Sequence, residues 1–403
     1  MIMNFATTCN KIASVTQIVE ESEKTFETVS MEELGRKSES DKYAEVVKQA
    51  LEQNSDIETE LYLHQYQALY ALAEGKDVIL SSPCGSGKTR VLENAPLVAK
   101  LGFELSVGGG TVDEKPVGII CCPLTAIIED KIKDDPNSGM ISMYGSCQTG
   151  ASSEKDKGML SKSENAFLSG QISYIYGHPE SFTTEIGKKI LETNENRISV
   201  FVCDEVGFNI WGDTFRILMS SVPGSIRVFS ASNAPMICMS ATIGKAEQCK
   251  ILEELGMKHR KFEIIENNPI MPNLFLSKLT RPSNQKGFYE PAGGLKDILC
   301  DLYLKQFISD PLNSRKAIIF CKNESDLINM YEYLDLKLGK QFTNMKTRPW
   351  VQYHGSTGEK TLQWIHHRLK YSDKDLEVKL VVATYKIVMG VDLKDFDLAI
   401  FIR

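Results

Sequence analysis

An apolar run long enough to span a membrane is missing from this sequence, and its N-terminus lacks the apolar core of a secretory signal. Ten cysteines are present, but no Cys-x-x-Cys pair or Cys/His array has the spacing of a zinc site. Disulfides are not expected either, because half of the cysteines lie inside short apolar runs, where a free thiol packs like a small hydrophobic side chain. We therefore expect a protein that resides inside the cell with reduced thiols. The cysteines within apolar runs are Cys121, Cys122, Cys203, Cys238 and Cys321.

A surplus of positive charge, the usual sign of a nucleic-acid partner, is also missing, since the net charge is −7. Residues 1–60 hold 13 Asp/Glu and 6 Lys/Arg, so this segment accounts for the whole imbalance. A neutral body can still carry a basic groove, and the total charge therefore excludes no partner. Residues 1–55 are predicted to be an acidic tail, largely disordered or helical, with KYAEVVKQALEQ as the helical stretch.

Short apolar runs recur through the rest of the chain, and each is too short for a helix. Near-continuous apolar character, without alternation, predicts strands that are covered on both faces. Helix-compatible segments follow most of these runs, so the pattern predicts an α/β fold with parallel sheets. The nine runs are DVILSS, VGIICCPL, ISYIYG, SVFVCDE, MICMSAT, KAIIFC, WVQYHG, KLVVAT and LAIFI.

A segment rich in Pro, Gly and Asn, residues 266–294, separates the first five runs from the last four and is predicted to be a linker. It divides the chain into a first domain, residues 56–265, and a second domain, residues 295–403. Residues 101–116 and 133–170 are predicted to be surface loops, because glycine or Ser, Lys and Glu dominate them.

The stretch DVILSSPCGSGKTRVL carries the strongest chemical signal. A strand enters a glycine-rich turn there, and a helix begins near Lys88. Glycines in the turn let backbone N–H groups point at phosphate oxygens, and the helix N-terminus adds a favourable dipole. Lys88 would reach the β- and γ-phosphates, and the Thr89 hydroxyl would ligate Mg²⁺. Ser82 stands where such loops usually begin with glycine.

The turn thus predicts ATP and Mg²⁺ as cofactors, and an ordinary glycine-rich turn is the alternative. The nucleotide-binding residues that this part of the chain supplies are Gly85, Ser86, Gly87, Lys88 and Thr89.

Two carboxylates, Asp204 and Glu205, end the apolar run SVFVCDE. With a phosphate loop earlier in the chain, Asp204 would hold the magnesium ion directly or through water. Glu205 would orient or deprotonate the attacking water, so these two residues and Lys88 are the predicted catalytic residues. The alternative is that either carboxylate only caps the following helix.

The motifs from about residue 60 to the C-terminus resemble those of superfamily 2 helicases, and most closely the RecQ group of 3′-to-5′ DNA helicases. The ordered set is SPCGSGKT, CCPLTAIIEDKI, YGHPESF, CDEVGFNIWGDTFR, MSAT, IIFC, YHG and VVATYKIVMGVD. The resemblance implies two RecA-like parallel-sheet domains in tandem. It also implies an ATP-dependent helicase or translocase that moves on single-stranded or forked DNA in the nucleus.

The resemblance also assigns roles to further residues. Gln67 matches the glutamine that reads the adenine edge, and His64 stands where the family has an arginine. In the second domain, Gly390 and Asp392 match nucleotide contacts. The motif containing Ser240 and Thr242 matches one that couples the metal site to domain movement. For these hydroxyls a simple helix cap is the alternative.

The resemblance places the nucleic-acid contacts on strand-end loops and on an aromatic-rich loop after the acidic pair. Aromatic faces stack on bases of any sequence with ~1–3 kcal/mol each. Core packing is the alternative for the aromatic residues. The residues concerned are Pro123, Thr125, Phe208, Trp211, Phe215 and Thr384.

Three departures from the family pattern bear on activity. Val206 and Gly207 stand where the family has Ala-His, and no zinc-binding or winged-helix region follows. The chain stops at Arg403, before the motif that supplies arginine fingers, which are worth ~10³–10⁵ in rate. We therefore expect a truncated second domain with weak ATP turnover, whose exposed face a protein partner would cover. The alternatives are a nucleic-acid-binding module without turnover and an unrelated phosphate-loop ATPase that acts on protein.

Overall fold

The structure of the chain is a computed structural model that falls into two compact units, Met1–Leu276 and Ser277–Arg403. No helix among the residues it describes is long and apolar enough to cross a bilayer. The described residues are 27–54, 60–108, 114–122, 125–132, 135–142, 144, 146–149, 160–206, 234–241, 243–267, 298–344, 347–370, 377–384 and 396–401.

The described α-helices are α1 (Met31–Ser38), α2 (Lys42–Gln53), α3 (Leu63–Ala73), α4 (Lys88–Val107), α5 (Thr125–Ile132), α6 (Leu160–Leu168), α7 (Glu185–Thr193), α8 (Lys245–Glu254), α9 (Ile298–Ser309), α10 (Glu324–Leu338) and α11 (Glu359–Lys370). The described strands are β1 (Thr28–Val29), β2 (Leu61–Tyr62), β3 (Asp77–Ser81), β4 (Val117–Cys121), β5 (Ser138–Ile141), β6 (Cys147–Thr149), β7 (Tyr174–Gly177), β8 (Ile198–Asp204), β9 (Met236–Ser240), β10 (Phe262–Glu266), β11 (Ala317–Phe320), β12 (Trp350–Tyr353), β13 (Leu380–Ala383) and β14 (Leu398–Phe401).

The first unit is built on an eight-stranded sheet in the order β10-β3-β9-β8-β4-β7-β5-β6. Its strands pair in parallel except β6, which is antiparallel to β5. Successive residues of a central strand enter opposite cores, as β3 shows: Val78 and Leu80 join one apolar cluster and Ile79 joins the other. Coverage on both faces explains why the apolar runs do not alternate, and it confirms the predicted α/β fold.

The strand register fixes which residues share the carboxyl edge of this sheet. Ser81 of β3 lies opposite Ser240 of β9, and Asp204 of β8 lies opposite Met239 of β9. Neighbouring strands are ~4.8 Å apart, so the ends of β3 and β8 are separated by about 10 Å. Residues that follow these strands therefore meet at one place although the chain separates them widely.

The N-terminal helices α1 and α2 form part of the first unit. Leu34, Val47 and Leu51 are buried in the same apolar cluster as Leu69 of α3. The predicted helical stretch coincides with α2, whose start is capped by the Asp41 carboxylate through the Tyr43 N–H at 2.9 Å. Amphipathic spacing of apolar residues thus orders this part of the acidic segment, and residues 1–26 lie outside the described residues.

Two segments predicted to be surface loops contain regular structure. Helix α4 continues to Val107 and ends at Gly108, which has the left-handed φ of 82° that glycine tolerates. The segment 133–170 contains β5, β6 and α6. These corrections share one cause: the short strands β5 and β6 and the exposed end of the long helix α4 carry few apolar residues, so local composition resembles that of a loop.

The second unit holds a four-stranded parallel sheet in the order β12-β13-β11-β14. Leu304 of α9 and Leu327 of α10 pack on one face, and Ile365 of α11 packs on the other. All nine strands predicted from apolar runs are present in the two units.

Candidate functional site

The glycine-rich turn between β3 and α4 forms a closed loop whose N–H groups remain available at the helix start. Gly85 and Gly87 have φ values of 77° and 76°, a backbone conformation that other residues rarely adopt. Gly87 is the N-cap of α4, so the N–H groups of Lys88 and Thr89 precede the first helical hydrogen bond, whereas the Arg90 N–H donates to the Gly87 carbonyl at 3.1 Å. The Ser82 hydroxyl is buried and donates to the Ser86 hydroxyl at 2.6 Å. Ser82 thus braces the loop at the position where glycine is usual.

The side chain of Lys88 folds back over this loop. Its Nζ donates to the carbonyl oxygens of Ser82 at 2.8 Å and Pro83 at 3.0 Å. Two carbonyl contacts fix the ammonium group on the inner side of the turn. A cation held there, next to the helix N-terminus, is the arrangement that binds phosphate.

His64, at the start of α3, contacts the backbone of the phosphate loop. Its Nε2 lies 3.0 Å from the Ser86 carbonyl oxygen and its Nδ1 lies 3.2 Å from the Asn267 amide nitrogen. This pairing assigns the proton to Nε2, which donates, while Nδ1 accepts. Burial lowers the pKa of His64, and the nearby Lys88 charge lowers it further, whereas the Ser86 bond opposes both. A neutral imidazole therefore fits the position.

Gln65 is a loop contact that sequence reasoning missed. Its Nε2 donates to the Gly87 carbonyl at 2.9 Å and to the Ser86 carbonyl at 3.3 Å, and its Oε1 accepts from the Tyr62 N–H at 2.9 Å. The available signal was its place as the third residue of α3, where a glutamine reaches back to the residue before the helix. Gln65 therefore ties the start of α3 to the phosphate loop.

Gln67, predicted to read adenine, is exposed on another side of α3. It lines a cleft of about 730 Å³ together with Lys37, Asp41, Tyr70 and Glu266, and none of the described phosphate-loop residues line that cleft. Its role in reading the base remains a prediction.

The acidic pair follows directly on β8. Glu205 has a φ of 53°, and among the described residues other than glycine it alone has a positive φ. Its N–H donates to the Asp204 Oδ1 at 3.1 Å. Such a conformation costs of order 1–3 kcal/mol and persists only where the surroundings enforce it. The turn places both carboxylates at the carboxyl edge of the sheet.

Both carboxyl groups are hard to ionise. Burial raises the pKa of Asp204, against the charges of Lys131 and Lys88 and the Glu205 N–H. Burial also raises the pKa of Glu205, and the Asp204 charge raises it further, while Lys88 opposes both. Because Lys88 acts on both carboxyl groups, the phosphate loop and the acidic pair form one electrostatic site.

The oxygen donors at this edge suit a magnesium ion. The Thr89 hydroxyl and the Asp204 carboxylate are hard ligands, and Mg²⁺ usually takes one or two carboxylates together with substrate phosphates. Among the described residues no group of three or more His, Cys, Asp and Glu could hold a metal without such help. The donor set therefore fits a metal that arrives with a nucleotide.

Ser240 connects the loop with the acidic pair. Its hydroxyl donates to the Glu205 Oε2 at 3.5 Å, and its carbonyl accepts from the Ser82 N–H at 3.2 Å. A movement at Glu205 would thus reach the backbone of the phosphate loop through a single residue.

The other predicted site residues are only partly described. Thr125 is the first residue of α5, but its side chain lies outside the described part. Thr384 follows β13 in the second unit, is partly buried, and donates its N–H to the Tyr353 carbonyl at 3.0 Å. The remaining predicted residues lie outside the described residues, namely Pro123, Phe208, Trp211, Phe215, Thr242, Gly390 and Asp392.

Replacing Glu205→Gln should stabilise the protein at neutral pH. An acid whose pKa is raised on folding lowers stability as pH rises through its unfolded value, near 4.5, towards its folded value. The penalty is complete above that window, so we expect a higher Tm for Glu205→Gln at pH 7, measured by thermal unfolding without nucleotide. Near pH 4 the difference should vanish. Glu195→Gln, an exposed residue, is the control, and an unchanged or lower Tm of Glu205→Gln at pH 7 would contradict the prediction.

Gln65→Ala and Gln67→Ala should behave differently. The first change removes the Gln65 hydrogen bonds to the Gly87 carbonyl and from the Tyr62 N–H, and should lower the free energy of unfolding by about 1–3 kcal/mol. The second removes an exposed side chain and should change it by less than about 0.5 kcal/mol. Chemical denaturation of both variants measures this, and equal losses would show that loop support by Gln65 has been overestimated.

Residues 62–250 match the model of the DEAD/DEAH box helicase family. The ATP-dependent helicase SGS1 of Saccharomyces cerevisiae is 25% identical over 204 residues, which are 49% of this chain and 13% of that protein. This chain therefore spans a small part of the length of that relative.

Solved helicases share the fold at low identity. DUF1998 helicase MrfA, bound to DNA and AMPPNP, is 16% identical with a TM-score of 0.55 and covers 89% of this chain and 46% of its own. The DEAD-box helicase Mss116, bound to ssRNA and UDP-BeF, is 16% identical with a TM-score of 0.59. The match covers 93% of this chain and 70% of the Mss116 chain. Mycobacterium smegmatis helicase Lhr, bound to ssDNA and AMP-PNP, is 16% identical with a TM-score of 0.52. The match covers 88% of this chain and 43% of the Lhr chain. The chain has the α/β fold of RecA-like helicase domains, and residues 62–250 are similar to the DEAD/DEAH box helicase family.

Proposed function

We propose that the chain is a RecQ-type helicase or translocase that couples ATP hydrolysis to movement along single-stranded DNA. The observation that carries the proposal is the single electrostatic site formed by Lys88, Asp204 and Glu205 at one sheet edge. Phosphate-binding and proton-accepting groups that converge in this way are what hydrolysis of a nucleoside triphosphate requires. The matched DEAD/DEAH box helicase domain points to the same class of reaction.

Each residue of the site has a task in this reaction. The loop N–H groups and Lys88 bind the triphosphate, and Thr89 and Asp204 would hold Mg²⁺. The ion would neutralise charge on the β- and γ-phosphate oxygens. Glu205 orients the attacking water and accepts its proton, a role that its raised pKa favours because it makes the carboxylate a better base.

Ser240 is proposed to report the state of the site to the rest of the unit. Its hydroxyl contacts Glu205 and its carbonyl holds the backbone of Ser82. Loss of the γ-phosphate changes the charge next to Glu205, and the loop is the next element along this chain of contacts. Thr242 is proposed to act in the same segment.

The nucleic-acid substrate is proposed from the RecQ-like motifs. The aromatic residues Phe208, Trp211 and Phe215 follow the acidic pair closely, so bases stacked on them would sense the nucleotide site. Pro123, Thr125 and Thr384 would contact the strand backbone. DNA is preferred over RNA here because CCPLTAIIEDKI and the Trp-Gly…Phe-Arg ending of the loop are the more RecQ-like parts of the sequence.

Two variants separate nucleotide binding from turnover. Lys88→Ala should lower ATP hydrolysis at least about a hundredfold and weaken ATP binding, because it removes the loop cation. Glu205→Gln should bind ATP but lose turnover to a similar extent. Steady-state ATPase and fluorescent-nucleotide titration on the full chain measure both. Lys188→Met, which changes an exposed lysine on α7, is the control.

The preference for DNA over RNA is tested with single-stranded DNA and RNA of equal length and sequence. DNA should stimulate hydrolysis more than RNA, and ATP should change the affinity for DNA. Equal DNA affinity with and without ATP, together with no turnover, would instead favour a nucleic-acid-binding module. ATPase activity without any nucleic-acid binding would favour an ATPase that acts on protein.

A further inference from the structure

Helix α5 brings a second lysine to the proposed ATP site. Lys131 Nζ donates to the Thr89 hydroxyl oxygen at 3.4 Å, across 42 residues of chain. The helix follows β4, which pairs with β8, so it begins at the sheet edge that carries the acidic pair. Ile128 and Ile132 anchor the helix in the apolar core. A buried face on one side of α5 thus fixes the direction from which Lys131 approaches.

The charge of Lys131 reaches both carboxylates of the site. It favours the ionised form of Asp204, and there its influence exceeds that of Lys88. It also favours the ionised form of Glu205, though less than Lys88 does. The site therefore holds two lysines from different elements, one on the phosphate loop and one on α5.

We propose that Lys131 is a positioning residue that sets the balance between phosphate and magnesium binding at this site. The inference rests on the proposed ATP site and adds a residue to it. An ammonium group next to Thr89 attracts the triphosphate oxygens and repels a cation that binds to the same hydroxyl. Charges ~5 Å apart in a half-exposed site interact strongly enough to change an equilibrium about threefold to tenfold.

The Lys131 charge should strengthen ATP binding and weaken Mg²⁺ binding. These opposite effects distinguish an electrostatic role from a role in packing. Without Lys131, metal-free ATP should bind more weakly because one attractive charge is gone. Mg²⁺ should then bind more tightly to the protein–nucleotide complex because one repulsive charge is gone. At saturating Mg²⁺ the two effects offset one another. The affinity for Mg-ATP should therefore change less than the affinity for metal-free ATP or the affinity of the complex for Mg²⁺.

The test uses the full chain with Lys131→Met, which keeps much of the apolar stem and removes the charge. A fluorescent ATP analogue is titrated in EDTA, and Mg²⁺ is then titrated at saturating analogue. We expect a threefold to tenfold weaker analogue affinity in EDTA and a Mg²⁺ half-saturation lowered by a similar factor. Lys131→Arg keeps the charge and should resemble wild type, as should Lys188→Met.

A Mg²⁺ half-saturation that is unchanged or raised in Lys131→Met would overturn the proposal. Parallel weakening of both ligands with a lower Tm would do the same, since it would show a packing role. Failure of the ATP site itself would look different: analogue binding to the wild-type chain would be absent, or would survive Lys88→Ala.

Discussion

Two neighbouring carboxylates at the end of a buried strand are the constraint on which the rest of the site depends. Burial opposes the ionisation of both Asp204 and Glu205, and the Asp204 charge further opposes that of Glu205. Lys88 and Lys131 supply positive charge from two other elements and offset part of this cost. The acidic pair and the lysines are therefore one structure, and a change in either part alters the other.

The parallel sheet makes this convergence possible. The lysine of the phosphate loop follows β3, the acidic pair follows β8, and Ser240 ends the strand between them. Carboxyl ends of parallel strands meet at one edge, so groups far apart in the chain need only short turns to reach each other. The left-handed turn at Glu205 is such a turn, and the hydrogen bond from its N–H to the Asp204 carboxylate accompanies it.

The sequence predicted those features whose signal is local. Central strands were recognisable because both of their faces are buried, and the phosphate loop because glycine, lysine and threonine stand at fixed spacing. Strand β10 escaped notice because FEIIE lies at the sheet edge and is largely exposed. Gln65 and Lys131 escaped notice for another reason. Their partners, Gly87 and Thr89, lie 22 and 42 residues away, and no local pattern specifies such contacts.

The phosphate loop keeps its shape although serine stands at a position where glycine is usual. Ser82 replaces a glycine, yet its hydroxyl bonds to Ser86 within the loop, and His64 and Gln65 hold the Ser86 carbonyl from outside. A serine there costs flexibility but adds a buried hydrogen bond, so the loop is held in shape by side chains as well as by its own backbone. His64 stands where the resemblance places an arginine, and its neutral ring serves the loop carbonyl. Burial and the Lys88 charge both lower the pKa of His64, so the neutral ring avoids repulsion from the lysine of the loop.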